Sequence, residues 1–361
     1  MIFHIDKEKP NALIFHTDKE KLDAHIAKAS FYYDIAGLAV GIGTGNEGLS
    51  YSGTAGFKNV QTREKITDDT IFHMASVTKL FTSTAILMLQ EKGCLNIDQT
   101  VITYLPWCRL ADDRYKQITI RQLLTHTSGL PDCSDYHWDQ PKTDEDALAA
   151  YVRSDEVSKA HLLWDPAECK FAYSNIGYEI LGAVTSETSG MSFEAFLDQE
   201  ILEPLGMTDS TLLTFSRNMK KVASPHYKDQ ANNICVSKIF PYNRAHAPSS
   251  TLTSNLKDLS KWAVANLKKQ VLAPDTYNEA WRSYAVVPNN GENIGLGWFI
   301  REQRGLKLFG HEGTDDGFRS SFWICPELDL FILVNANMTG SPVKKISKQL
   351  LDILLGYDPK W

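Results

Sequence analysis

No apolar run in the 361 residues reaches the length of a membrane-spanning helix, which needs about 18 residues or more. The six cysteines, Cys94, Cys108, Cys133, Cys169, Cys235 and Cys325, include no CxxC pair. Neither a zinc site nor a disulfide framework is therefore expected. HExxH is absent and the ten histidines lack ligand spacing, which argues against a metalloenzyme, and no cofactor is expected. Charge is spread without long runs around a net −7. No basic patch interleaved with aromatics offers a surface for nucleic acid. Internal repeats and low-complexity segments are missing too. From Met1 to Lys21 apolar residues alternate with Asp, Lys and Glu, without the apolar core of a signal peptide. The chain as it stands reads as cytoplasmic, or as periplasmic or secreted had a leader been removed. Nothing in the residues gives an oligomeric state.

The remainder is an ordinary globular mix, 43% hydrophobic and 22% charged, long enough to bury a large core. Asp18 to Ala29 has the three-to-four spacing of a helix. Ala36 to Ile42 and Leu49 to Phe57 read as strands joined through Gly43-Thr44-Gly45-Asn46-Glu47-Gly48. That connector matches GxGxxG, yet a dinucleotide site needs a helix next, and a strand follows. A hairpin is expected.

Ala75 to Lys92 reads as a helix apolar on nearly every side, stopped by Gly93, and such a helix belongs in a protein's interior. Helices and loops then run to about Phe240. After a helix over Asn255 to Leu267, short strands return at Leu296 to Glu302, Leu306 to Phe309, Phe318 to Cys325 and Leu328 to Ala336. Pro342 to Leu355 closes the chain as an amphipathic helix. Strands at both ends and helices between predict an α+β fold. Its antiparallel sheet of about five strands would be flanked by terminal helices, with a helical lobe inserted. On this reading residues 1–361 form one catalytic domain, with an α/β lobe from 18–74 and 246–361 and a mainly helical lobe over 75–245.

Ser76-Val77-Thr78-Lys79 is an SxxK, and residues three apart on a helix share a face. A buried Lys79 with a lowered pKa could take the proton of Ser76. The spacing alone says little, since Ser254 to Lys257 and Ser341 to Lys344 repeat it. Ser254 reads as a helix N-cap and Ser341 precedes a helix start, whereas Ser76 alone opens an apolar helix. Tyr173-Ser174-Asn175 is the only YxN. A tyrosine between a lysine and a second cation can be ionised and shuttle protons, and an asparagine amide can hold a substrate carbonyl or side chain. His311-Glu312-Gly313, the only HxG, ends a strand whose edge can pair with substrate. There the amide of Thr314 could join that of Ser76 as an oxyanion hole.

SxxK, YxN and HxG in this order resemble the serine β-lactamase and penicillin-binding protein superfamily, nearest its class C β-lactamase-like branch, which includes esterases and D-amino-acid peptidases. Leu123-Leu124-Thr125-His126-Thr127-Ser128-Gly129-Leu130, Phe171 to Gly182, Glu203-Pro204-Leu205-Gly206-Met207 and Gly295-Leu296-Gly297-Trp298 are also similar to stretches common there. The resemblance implies a β-lactamase/transpeptidase-like fold and an acyl-enzyme cycle on a small-molecule or peptide substrate. Ser76 would be the nucleophile, with Lys79 and Tyr173 sharing the acid and base roles. Asn175, His311, Glu312 and Gly313 would contact substrate.

The third motif departs from the Lys-Thr-Gly or Lys-Ser-Gly of β-lactamases and transpeptidases. His311 replaces the lysine, Glu312 replaces the hydroxyl, and Asp315 and Asp316 follow. Carboxylates at the pocket mouth would repel an anionic substrate. An esterase, or a peptidase or amidase for D-amino acids, is thus favoured over a β-lactamase or DD-carboxypeptidase. An acyltransferase and a silent binding protein of the same fold are the other readings.

Overall fold

The computed structural model describes residues 19–361, so the reading of Met1 to Lys21 as lacking a leader lies, up to residue 18, outside the described residues. Strands β1 (Gly37–Thr44) and β2 (Gly48–Asn59) form an antiparallel hairpin with a register shift between Ile42 and Gly43. The GxGxxG is its turn. A Cβ on Gly43 would lie 2.0 Å from the Gly48 carbonyl oxygen, so the glycine serves strand packing and not phosphate binding.

Four further strands come from the C-terminal third: β3 (Phe299–Gln303), β4 (Leu306–Asp315), β5 (Phe318–Cys325) and β6 (Leu330–Ala336). They continue the sheet in the order β2-β1-β6-β5-β4-β3. Every neighbour is antiparallel. Among the described residues the sheet has nine strands, more than the five or so expected. Its additional members are two-residue strands at the edges, Glu64–Lys65, Ala285–Val286 and Asn293–Ile294, too short for alternation to reveal. β4 also runs past Phe309 through the whole HxG, because Gly310 and Gly313 hide the alternating pattern that defines it.

One sheet face is covered by α1 (Lys19–Tyr32) and the last helix, Val343–Leu354. Leu22, Ile26, Ile346 and Leu350 pack there on Leu38, Val40, Ile332 and Val334. The other face meets α2 (Thr78–Glu91) and the helix Leu256–Leu267 in a core that reaches through α3 (Asn175–Ser189). Asn255, not Ser254, caps Leu256–Leu267, its side chain accepting from the Asp258 amide. Ser254 is instead buried against the Ser210 hydroxyl at 2.8 Å. Among the described residues no helix is long and apolar enough to cross a membrane.

Candidate active site

Ser76 lies in a single 3₁₀ turn, Ala75–Val77, that leads into α2. Ala75 just before it has φ +47°, a left-handed conformation that costs an L-residue about 1–2 kcal/mol. The strained turn sets Ser76 beside β4 on the wall of a cavity of about 450 Å³. Three residues on, Lys79 has no exposed surface, as the apolar helix predicts.

Lys79 Nζ is 3.1 Å from Ser76 Oγ, 2.6 Å from Asn175 Oδ1 and 2.9 Å from the Ser249 carbonyl oxygen. The two carbonyl oxygens can only accept. A neutral amine would give them its two N–H bonds and keep its lone pair for the Ser76 hydroxyl. Burial pulls the Lys79 ammonium down to about 8, against the attraction of Glu179, Asp132 and Asp315. A sizeable neutral fraction therefore exists near neutral pH.

Asn175 opens α3, which Ser174 caps by accepting from the Gly177 amide. The side-chain amide of Asn175 is committed at both ends. Nδ2 donates to Asp132 Oδ1 at 2.9 Å, which turns Oδ1 to Lys79. The residue lines the cavity, but it holds the lysine, whereas the sequence suggested a grip on substrate. Asp132 also accepts from the Asn175 backbone at 2.7 Å. Sequence reading passed over Asp132, whose one clue is its place just beyond the Thr125 to Leu130 loop.

Tyr173 donates to Ser76 Oγ at 2.9 Å. Burial pushes its phenol well above the usual range, so it is neutral and not the ionised shuttle expected. Nor does the third motif supply the anticipated second cation. His311 lines the cavity, but burial and the nearby Lys79 charge pull its imidazolium down to about 3. His311 Nδ1 donates to the Glu312 carbonyl at 2.6 Å, and Nε2 has no partner. Where a lysine would offer charge, this ring offers a lone pair. His126, another buried neutral histidine, lies 4.3 Å from the Tyr173 ring, and its Nδ1 accepts from the Ser174 amide.

Gly313 and Thr314 run beside the turn that holds Ser76. A Cβ on Gly313 would meet the Met74 carbonyl at 2.3 Å and the Ala75 Cβ at 3.2 Å, so only glycine permits this approach. Ser320 Oγ clamps the same carbonyl at 2.6 Å. Thr314 lines the cavity.

Glu312 also lines it, accepting from Trp323 Nε1 at 2.7 Å and Ser321 Oγ at 3.2 Å, with Arg301 Nη1 at 3.8 Å. Burial, opposed by Arg301, pushes its carboxyl up to about 7. The other expected carboxylates do not line the cavity. Asp315 turns from the cavity to His73 Nε2 at 2.7 Å and to Ser250. Asp316 is exposed and off the cavity wall. Two unforeseen acids, Asp132 and Glu292, take their place, with Lys344 paired to Glu292 at 2.6 Å. Among the described residues no group of acids, histidines and cysteines is placed to hold a metal ion.

The Beta-lactamase family model matches residues 22–355. Protein flp of Staphylococcus aureus (strain N315) is 30% identical over 82% of the chain, which spans 58% of that relative's length. Among solved structures, the octameric penicillin-binding protein homologue from Pyrococcus abyssi superposes with TM-score 0.83 at 28% identity, over 95% of this chain and 78% of that one. D-amino acid amidase from Ochrobactrum anthropi SV3 shares the fold at TM-score 0.77 and 20% identity, over 93% of this chain and 98% of that one. With an α+β fold of this kind and a family match across nearly all the described residues, the chain belongs to the Beta-lactamase family.

Proposed function

We propose that this chain is a serine hydrolase that works through an acyl-enzyme on an ester, amide or peptide bond. Its substrates would be neutral or carry an amine, and would lack the carboxylate of a penicillin or a D-Ala-D-Ala terminus. The polarity of the cavity wall carries the choice. Asp132, Glu292 and Glu312 line the wall with one lining cation, Lys344, that Glu292 already holds. Arg301 stands behind Glu312, whose carboxyl at about 7 is part neutral, so Asp132 and Glu292 carry most of the negative charge. The third-motif histidine adds an unpaired acceptor in place of positive charge. Such a wall suits an ammonium or N–H donor and costs a carboxylate both repulsion and desolvation.

In the cycle this supports, Ser76 Oγ bonds to the carbonyl carbon as its proton passes to neutral Lys79. The carbonyl π pair moves onto oxygen, facing the amides of Ser76 and Thr314. Collapse of the intermediate expels the leaving group, which takes the proton of neutral Tyr173. The phenolate left behind takes a proton from water as that water attacks the acyl-enzyme. Lys79 then returns its proton to Ser76 Oγ. Membership of the Beta-lactamase family does not itself make a β-lactam the substrate. Turnover of a D-amino-acid anilide, a short-chain nitrophenyl ester and a chromogenic cephalosporin tests the choice. The first two are expected to turn over faster. A cephalosporin opened faster than both would contradict it.

A further inference from the structure

We infer that Glu179 is a positioning residue for the proton transfer: a buried carboxylate, set in place by Ser249 and His246, that supplies the counter-charge for the ammonium formed at Lys79. The inference rests on the reading of Lys79 as the base.

Glu179 lies one turn after Asn175 on α3 and so shares its face toward α2. It has no exposed surface. Its Oε1 accepts from Ser249 Oγ at 2.5 Å and from His246 Nδ1 at 3.1 Å, while Oε2 is buried without a partner. The residue that donates to it, Ser249, gives Lys79 its backbone carbonyl at 2.9 Å. A buried carboxylate with an unsatisfied oxygen is costly unless an opposite charge is near. Among the described residues no lysine or arginine forms an ion pair with it. Lys79 is the buried cation on which it acts, and Glu179 is the foremost of the acids that hold the Lys79 proton.

Other groups face Lys79 as well. Asp132 and Asp315 add negative charge from the loop before α3 and from the end of β4. His126 and His311 are held neutral by burial, and burial keeps Tyr173 and Tyr178 as phenols. Asp132 and Asp315 are each spoken for, by Asn175 and by His73 with Ser250. Glu179 alone among the three acids has an oxygen both buried and free. As Ser76 gives up its proton, the positive charge that appears on Nζ is met by a carboxylate already in place, which needs no reorganisation.

The test is the rate at which a fluorophosphonate labels Ser76, followed by intact mass from about pH 5 to pH 10. Wild type is expected to rise along a limb with its midpoint at about 8. Removing the carboxylate makes Lys79 easier to deprotonate. Glu179→Gln should therefore move the midpoint down by about one unit and lower the plateau several-fold, the weaker base being neutral sooner but accepting less readily. Glu179→Met, of similar volume, should move it the same way if Gln disturbs the fold. Glu179→Asp, which keeps the charge, should stay near wild type. A midpoint that neither Gln nor Met moves, or that Asp moves as far, would overturn the inference and leave Glu179 a packing residue. A Lys79→Ala variant that keeps the wild-type limb would instead overturn Lys79 as the base.

Discussion

Lys79→Ala is expected to slow acylation at Ser76 by about a thousandfold to ten-thousandfold, the upper part of what a positioned general base supplies. The number follows from geometry. Among the described residues the amine is the one base within hydrogen-bond reach of Ser76 Oγ whose remaining N–H bonds are both taken by carbonyl acceptors. Tyr173 cannot substitute, because its buried phenol is held neutral and itself donates to Oγ. The substitution leaves Asn175 Oδ1 and the Ser249 carbonyl without a donor, at about 1–3 kcal/mol each. It also removes a desolvated amine, and the fold should survive. Labelling rates with a fluorophosphonate, alongside thermal unfolding, check this. A loss below about tenfold in a folded variant would assign the base role to another group.

The second large effect is expected from Gly313→Ala. The new methyl would lie 2.3 Å from the Met74 carbonyl oxygen and 2.1 Å from Ser320 Oγ. The serine can rotate, but it would give up its 2.6 Å bond to that same carbonyl. The carbonyl is backbone, so β4 must move off the turn carrying Ser76. Overpacking of this kind costs about 1–3 kcal/mol of stability. The larger effect is on the reaction, since the Thr314 amide leaves the position from which it would meet an oxyanion. Removing one such donor costs about a hundredfold to a thousandfold. Acylation should fall by that factor in a chain that still folds. A variant with normal acylation would place the second oxyanion donor elsewhere.

The parts of this molecule that were legible in its sequence share a physical cause. Apolar periodicity located the C-terminal helix, because burial of one face is what forms it, while α2 was legible as a run apolar on nearly every side and is buried almost throughout. Ser76, Lys79 and Tyr173 stood out because the proposed chemistry needs those residue types at fixed spacings, and the structure sets Lys79 Nζ 3.1 Å and the Tyr173 hydroxyl 2.9 Å from Ser76 Oγ. Two-residue edge strands left no alternation to read. The glycines that let β4 pass the Ser76 turn hid the strand itself. Contacts between distant residues left no local signature either. Asp132 turns the Asn175 amide, and Glu292 enters the cavity from the short edge hairpin. Asp315 was misassigned because alternation along a strand cannot foretell that His73 and Ser250 would claim it.

Intact-mass analysis of the native protein and of Ser76→Ala after exposure to a fluorophosphonate tests the nucleophile most directly. One adduct on the native chain, mapped to Ser76 and absent from the variant, is the predicted result. A native chain that takes no label, or a variant that labels as fast, would contradict it.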